Sequence, residues 1–200
     1  ITMATENGSV AHRTADFAAE TIGSIVDITT SIFRRKENKN AYTVSVKGSD
    51  QIDKILSYFG HAKSEISLRI NRANLENECC QSAFLRGAFL SCGSVTDPKK
   101  DYRIEFVVPY MNLAKDLSSL LSEIYELDLK PGMQNRKGSF VVYIKGSEKI
   151  ADLLTYIGAG KSSMDLMQTK MFKEVRNNIN RKTNFETANI GKTASAAAAQ

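Results

Sequence analysis

A strand, a turn and a helix occur twice in this chain, and that duplication limits the folds open to it. From Ala41 the sequence runs Tyr42-Thr43-Val44-Ser45-Val46-Lys47-Gly48-Ser49-Asp50, then Ile52, Ile55, Leu56 and Tyr58 up to Gly60. From Ser139 it runs Phe140-Val141-Val142-Tyr143-Ile144-Lys145-Gly146-Ser147-Glu148, then Ile150, Leu153, Leu154 and Tyr156 up to Gly158. Each copy passes from a β-rich segment through a Lys-Gly-Ser turn, with the serine placed as helix N-cap, into an amphipathic helix closed by glycine. A unit of this size occurring only twice is too long and too few for a solenoid. The two copies are therefore expected to form a pseudo-twofold molecule around one shared core.

The 200 residues suffice for a sizeable core. No apolar run approaches the roughly 20 residues that span a bilayer, and the first residues lack a basic region followed by a signal-type apolar stretch. Membrane and small-molecule partners are thus not expected, and a cytoplasmic location is. Cys79, Cys80 and Cys92 make an odd set with an adjacent pair, which suits reduced thiols better than a disulfide framework. No His or further Cys stands at ligand spacing around them, so neither a metal nor another cofactor is expected. His12 and His61 match no position in the repeat. No Ser-His-Asp set, paired carboxylates or Gly-rich phosphate loop is evident, and no catalytic residue is assigned.

The formal net charge of +5 conceals a strong segregation. Arg34, Arg35, Lys36 and Lys39 against Glu37 give +3, and Lys130, Arg136 and Lys137 give another +3. Between Lys161 and Lys182, six cations (Lys161, Lys170, Lys173, Arg176, Arg181, Lys182) oppose Asp165 and Glu174. The remainder of the chain is acidic. One basic loop alone reads as a solvated hairpin tip. Here, however, the first two clusters precede the repeated strand in both copies and follow a short β-like run, Asp27 to Phe33 in one and Leu127 to Lys130 in the other. Two basic hairpins related by pseudo-symmetry would present a curved basic surface, and double-stranded DNA is the partner with matching local symmetry. Arg176, Arg181 and Lys182 extend the candidate set, as a basic helix that could equally pack against a further domain.

The remaining periodicities predict a strand over Ile1 to Ala4 and a helix over Ala11 to Val26 with Phe17, Ile22 and Ile25 inward. They place an extended or linking stretch over Ser64 to Asn74 and a helix from Asn77 to Cys92. A strand over Tyr102 to Val108 follows, then a helix over Pro109 to Tyr125 with Leu113, Leu117, Leu120, Leu121 and Ile124 on one face. A last helix covers Met164 to Asn180, and Thr193 to Gln200 is an Ala-rich helix start or linker. The expected division is 1–60 as a first repeat, 61–76 as a linker, 77–160 as a second repeat and 161–200 as a C-terminal helix and linker.

Along the 77–92 helix, Ala83, Gly87 and Ser91 recur every four residues, as do Phe84, Ala88 and Cys92. A stripe of small side chains lets another helix approach closely, and in most soluble proteins it marks tight packing rather than a site. The run Phe84-Leu85-Arg86-Gly87-Ala88-Phe89-Leu90-Ser91-Cys92-Gly93 resembles a degenerate LAGLIDADG helix, the element at the dyad interface of LAGLIDADG homing endonucleases. Together with Cys79-Cys80, Gly93-Ser94-Val95, Val175-Arg176-Asn177-Asn178, Asn180-Arg181, Asn184-Phe185-Glu186-Thr187-Ala188-Asn189 and Lys192-Thr193, it is similar to the bacterial WhiA family. The resemblance spans essentially the whole chain.

That resemblance implies an α+β, LAGLIDADG homing-endonuclease-like fold: two pseudo-twofold repeats with antiparallel saddle-like sheets and helices on one face. It also implies a transcription regulator of cell division, chromosome segregation or sporulation, nucleoid-associated, whose helix-turn-helix follows the present sequence and whose first motif helix precedes it. A second transcription or cell-division protein is a further implied partner. Ala83, Gly87, Ala88, Ser91 and Cys92 would form the dyad-helix interface, covered by a further peptide or by a second molecule; an open face would count against that role. In the endonucleases an acid at the position of Cys92 holds the divalent metal. A thiol is a poor ligand for Mg²⁺, so no catalysis is expected, and Asp97 in the following turn is a weak substitute. Two rival functions stay open: a protein-interaction scaffold and a residual metal-dependent endonuclease.

Overall fold

The structure is a computed structural model that describes residues 1–33, 39–62 and 68–198. The chain divides into two compact units. The first comprises Ile1–Val95 with Ile104–Ile144, and the second Thr96–Arg103 with Lys145–Gln200.

The first unit begins with β1 (Thr2–Thr5), α1 (Gly8–Glu20), β2 (Asp27–Phe33) and β3 (Lys39–Ser45), then α2 (Ser49–Tyr58). The strands form an antiparallel sheet in the order β1-β3-β2, with Met3, Val44 and Ile28 in one row across it. Their side chains meet Ala11 and Ala15 of α1. The inward face of α1 is thus Ala11, Ala15 and Ala18, a correction to the expected Phe17, Ile22 and Ile25. Phe17 is exposed because α1 lies close enough to the sheet that alanine fills the space, and α1 ends at Glu20 rather than Val26, so Ile22 and the exposed Ile25 lie beyond the helix. The α1 N-cap is Asn7, whose side chain accepts from the Ser9 and Val10 N–H groups.

A short 3₁₀ turn, Arg72–Leu75, closes the stretch expected to be extended, of which residues 63–67 lie outside the described residues. Next come α3 (Glu78–Cys92), β4 (Gly93–Val95), β5 (Arg103–Val108), α4 (Met111–Glu123), a 3₁₀ turn Tyr125–Leu127, β6 (Gly132–Arg136) and β7 (Ser139–Lys145). Helix α3 runs directly into β4 because Gly93 has no Cβ to collide with the Phe89 ring and carbonyl. The second sheet has the order β4-β5-β7-β6. Its core includes Ile104, Phe106, Val108, Val141, Val142 and Ile144, with Phe89 of α3 edge-on to Phe106 at 6.2 Å between ring centres. Leu117, Leu120, Leu121 and Ile124 are buried, as the periodicity of α4 requires.

The duplication is visible in the topology, since β5-β7-β6 repeats β1-β3-β2. It extends to single hydrogen bonds. The Ile52 N–H donates to Gly48 O and the Ile150 N–H to Gly146 O, both at 3.1 Å. At the other helix end, His61 N–H to Leu56 O and Gly60 N–H to Ser57 O are matched by Ala159 N–H to Leu154 O and Gly158 N–H to Thr155 O, a Schellman closure in both copies. The cap positions are Gly48 (φ 88°) and Gly146 (φ 99°), and neither helix has a side-chain cap bond. Ser49 and Ser147 are therefore first helical residues rather than N-caps, because the backbone turns at the left-handed glycine before them.

The second unit holds the turn 96–103, α5 (Ser147–Tyr156) and α6 (Gly160–Ala198). Helix α6 extends well beyond the expected Met164 to Asn180 and takes in the Ala-rich stretch as far as Ala198. Its Ser163 Oγ donates to Ala151 O at 2.8 Å and meets Thr155 Oγ1 at 3.0 Å, which fixes it on α5.

Candidate nucleic-acid interface

The β6–β7 hairpin is built from its turn outward. Arg136 pairs with Ser139, leaving only Lys137 (φ 53°) and Gly138 (φ 82°) between the strands. Two successive positive φ values make a type I′ turn, whose twist suits antiparallel strands. The strand that feeds this turn is Gly132–Arg136 and not Leu127 to Lys130. Leu127 is buried in a 3₁₀ turn and Asp128 is left-handed, which ends any extended run there. Lys130 consequently precedes the hairpin, and the tip carries Arg136 and Lys137 alone. Both are exposed.

Arg136 is already engaged. Its Nη2 donates to Glu105 Oε2 at 2.7 Å, and the Glu105 side chain is only 14% exposed. Gly132, Gln134 and Arg136 alternate onto one face of β6. The Tyr143 ring lies over Gly132, where any Cβ would collide with it. Beyond the tip, then, β6 adds Gln134 to this face, beside Tyr143 and the neutralised Arg136–Glu105 pair.

In the first hairpin, Phe33 pairs with Lys39 across a longer connection. Arg34, Arg35 and Lys36 lie outside the described residues, as does the Lys39 side chain. Opposite the α1-facing row, this sheet carries Thr2 and Ala4, Ala41, Thr43 and Ser45, and Asp27, Thr29 and Ser31. Among the described side chains of this face, the charged one, Asp27, is paired with Lys47 at 3.3 Å. The hydroxyl-rich row of Thr2, Thr29, Ser31, Thr43 and Ser45 was missed in the sequence, because only strand register brings these residues together.

Arg176, Arg181 and Lys182 are all exposed on α6. At about 100° per residue they point to three different sides of the helix, so the structure does not bring them together. Lys182 also approaches Glu186 at 4.0 Å.

The small-residue face of α3 is open within the described residues. Ala83, Gly87 and Ser91 are exposed, Ala88 and Cys92 half-buried, and nothing lies within 4 Å of a Cβ built on Gly87. The expected cover, a further peptide or a second molecule, lies outside this chain, and the described residues of the chain itself supply none. The face lines an apolar cavity of about 810 Å³, together with Leu75, Val108 and Leu117. Arg69, at its edge, is held by Asp116, which also accepts the Ile70 N–H at 3.1 Å. The Arg69 hydrogen bond is the main reason the Asp116 carboxyl sits below the usual carboxylate range.

Cys92 Sγ donates to Ala88 O at 3.1 Å, and burial pushes its thiol pKa up. A protonated, hydrogen-bonded thiol does not fit the hard-oxygen requirement of Mg²⁺. Asp97 Oδ1 instead accepts the Lys99 N–H at 2.9 Å within its own turn. Among the described residues no group of three His, Cys, Asp or Glu could hold a metal ion, and no helix is long and apolar enough to cross a membrane.

The family model of the WhiA LAGLIDADG-like domain matches residues 9–76 and 81–176. Among curated proteins, the chain is 35% identical over 205 residues to the probable cell division protein WhiA of Alkaliphilus metalliredigens, covering 100% of this chain and 64% of that protein. It is 36% identical over 207 residues to the protein of the same name from Clostridium botulinum, covering 99% and 64%. The chain thus spans 64% of the length of these relatives. Among solved structures, full-length WhiA of Thermotoga maritima is similar with a TM-score of 0.64 and 19% identity, over 97% of this chain and 60% of that one. The separate N-terminal LAGLIDADG domain of WhiA gives 0.54 and 18%, over 79% and 72%. These structural likenesses establish the fold.

Proposed function

This chain belongs to the WhiA family through its LAGLIDADG-like domain, and on that premise we propose that it contacts double-stranded DNA as part of a cytoplasmic, nucleoid-associated transcription regulator acting in bacterial cell division, chromosome segregation or sporulation. The observation that carries the proposal is the β6–β7 tip, where a type I′ turn projects Lys137 beside Arg136. Arg34, Arg35, Lys36 and Lys39 supply the matching charge in the other repeat. These cations hold phosphates and position the duplex, contacts that carry no base-sequence information. Arg176, Arg181 and Lys182 contribute separate phosphate contacts at most. The domain is nuclease-derived and non-catalytic, since Cys92 is no anchor for a hard cation.

A second function is favoured by one observation, the neutralisation of Arg136 by Glu105. It makes the domain a scaffold for another transcription or cell-division protein, with DNA affinity residing elsewhere. Ala83, Gly87, Ala88, Ser91 and Cys92 keep an interface role in either case, as the seat for a second helix from a longer chain or a second molecule. One experiment separates the choices. The chain is incubated with supercoiled plasmid and Mg²⁺ or Mn²⁺, then assayed for retardation and for nicking. Retarded, intact plasmid is expected. Absence of retardation favours the scaffold, and reproducible nicking would revive a nuclease.

A further inference from the structure

Helix α6 carries an apolar stripe that the DNA-contacting role does not use. Met164, Met171, Phe172, Val175 and Ile179 are each more than half exposed. At 3.6 residues per turn they fall along one side of the helix, roughly opposite Ser163, which is buried against α5. The stripe is about 24 Å long, the length of a four-turn helix. Beside it runs a groove of about 640 Å³ in which Phe172, Val175 and Ile179 stand next to Lys99, Lys173 and Arg176, with no acid in the lining. Lys173 is fixed there, donating to Pro98 O at 2.8 Å and lying 5.0 Å from the Tyr102 ring centre. Lys99 and Arg176 make no ion pair among the described residues.

We propose that this face docks a short acidic amphipathic helix of another protein, its apolar side on Phe172, Val175 and Ile179 and its carboxylates on Lys99 and Arg176. Charge decides the occupant. The 161–182 segment carries +4, from six cations and two acids, so a second copy of the same stripe would bring like charges together, whereas an acidic helix is complementary. DNA would meet the cations but gain nothing from a row of exposed Phe, Val and Ile. The proposal shares Arg176 with the DNA-contacting role and otherwise rests on residues that role does not use.

The test uses the full chain and a fluorescein-labelled designed 16-residue peptide, with Leu at i, i+3, i+4 and i+7 spacing and Glu elsewhere on its flanks, read by anisotropy. Two control peptides carry the same composition scrambled, or Lys in place of Glu. Saturable binding of the acidic helix alone is expected, weakened at least about tenfold by Phe172→Ala with Ile179→Ala and, separately, by Lys99→Glu with Arg176→Glu. All four positions except Lys99 lie on the exposed side of α6, and circular dichroism checks that the variants stay folded. Equal binding of the scrambled peptide, or indifference to the apolar pair, overturns the proposal. So does a 30-base-pair duplex or an anionic phosphatidylglycerol vesicle whose binding depends on Phe172 and Ile179 while the peptide fails to bind.

Discussion

Arg136, on the outer strand of the second sheet, reaches across β7 to Glu105 on β5 at 2.7 Å, so one of the two cations at the hairpin tip is neutralised before any ligand arrives. Removing the acid should release it. Glu105→Gln is expected to tighten duplex binding and to steepen the log–log salt dependence by about 0.9, the increment for one further phosphate neutralised by the freed Arg136. Because Arg136 is about half exposed, the change in stability should stay within about 1 kcal/mol. An unchanged slope would mean that Arg136 does not face DNA.

Asp116 fastens the segment around Arg69 and Ile70 to α4, one wall of the apolar cavity. Its folded-state pKa is depressed, first by the Arg69 hydrogen bond. A depressed carboxylate stabilises the fold at pH values above its unfolded pKa near 3.9 and loses that contribution as pH falls through the lower folded value. Asp116→Asn should therefore cost about 1.5–3 kcal/mol at neutral pH and remove part of the acid sensitivity below about pH 4. Urea denaturation at pH 7 and pH 3 would measure both effects, and an equal deficit at the two pH values would contradict the ionic role.

Gly87 sits inside α3, and among the described residues nothing occupies the space where a Cβ would go. A helix-interior glycine facing solvent is less favourable than alanine by about 0.5–1 kcal/mol. Gly87→Ala should raise the melting temperature of this chain by roughly 1–4 °C. A fall would reveal a partner packed on Ala83, Gly87 and Ser91 in solution.

Features fixed by local chemistry were legible in the sequence. The place of the Lys-Gly-Ser turns, though not the serine caps, the Leu face of α4 and the span of α3 matched the structure, because glycine torsions and apolar periodicity act over a few residues. Strand β6 was not legible. Met133, Gln134, Asn135 and Arg136 are all exposed, so no alternation marks them, and pairing to β7 through the Lys137-Gly138 turn holds them extended. The inward face of α1 was misread for a related reason: close approach to the sheet selected alanines over the larger Phe17, and the helix ends at Glu20, before Ile22 and Ile25. The two ion pairs that shape the candidate surfaces join residues 31 and 47 positions apart, and no local pattern announces them.

If the paired hairpins hold DNA by its phosphates, the salt dependence of binding shows it most directly. Affinity for one duplex is measured from low to moderate salt for the chain and for the variant with Arg34, Arg35, Arg136 and Lys137 changed to Ala. The variant is expected to bind more weakly at every salt concentration, with a log–log slope shallower by about 0.9 for each phosphate it no longer neutralises. Two parallel lines, with the slope unchanged, would contradict it and leave these hairpins outside any DNA interface.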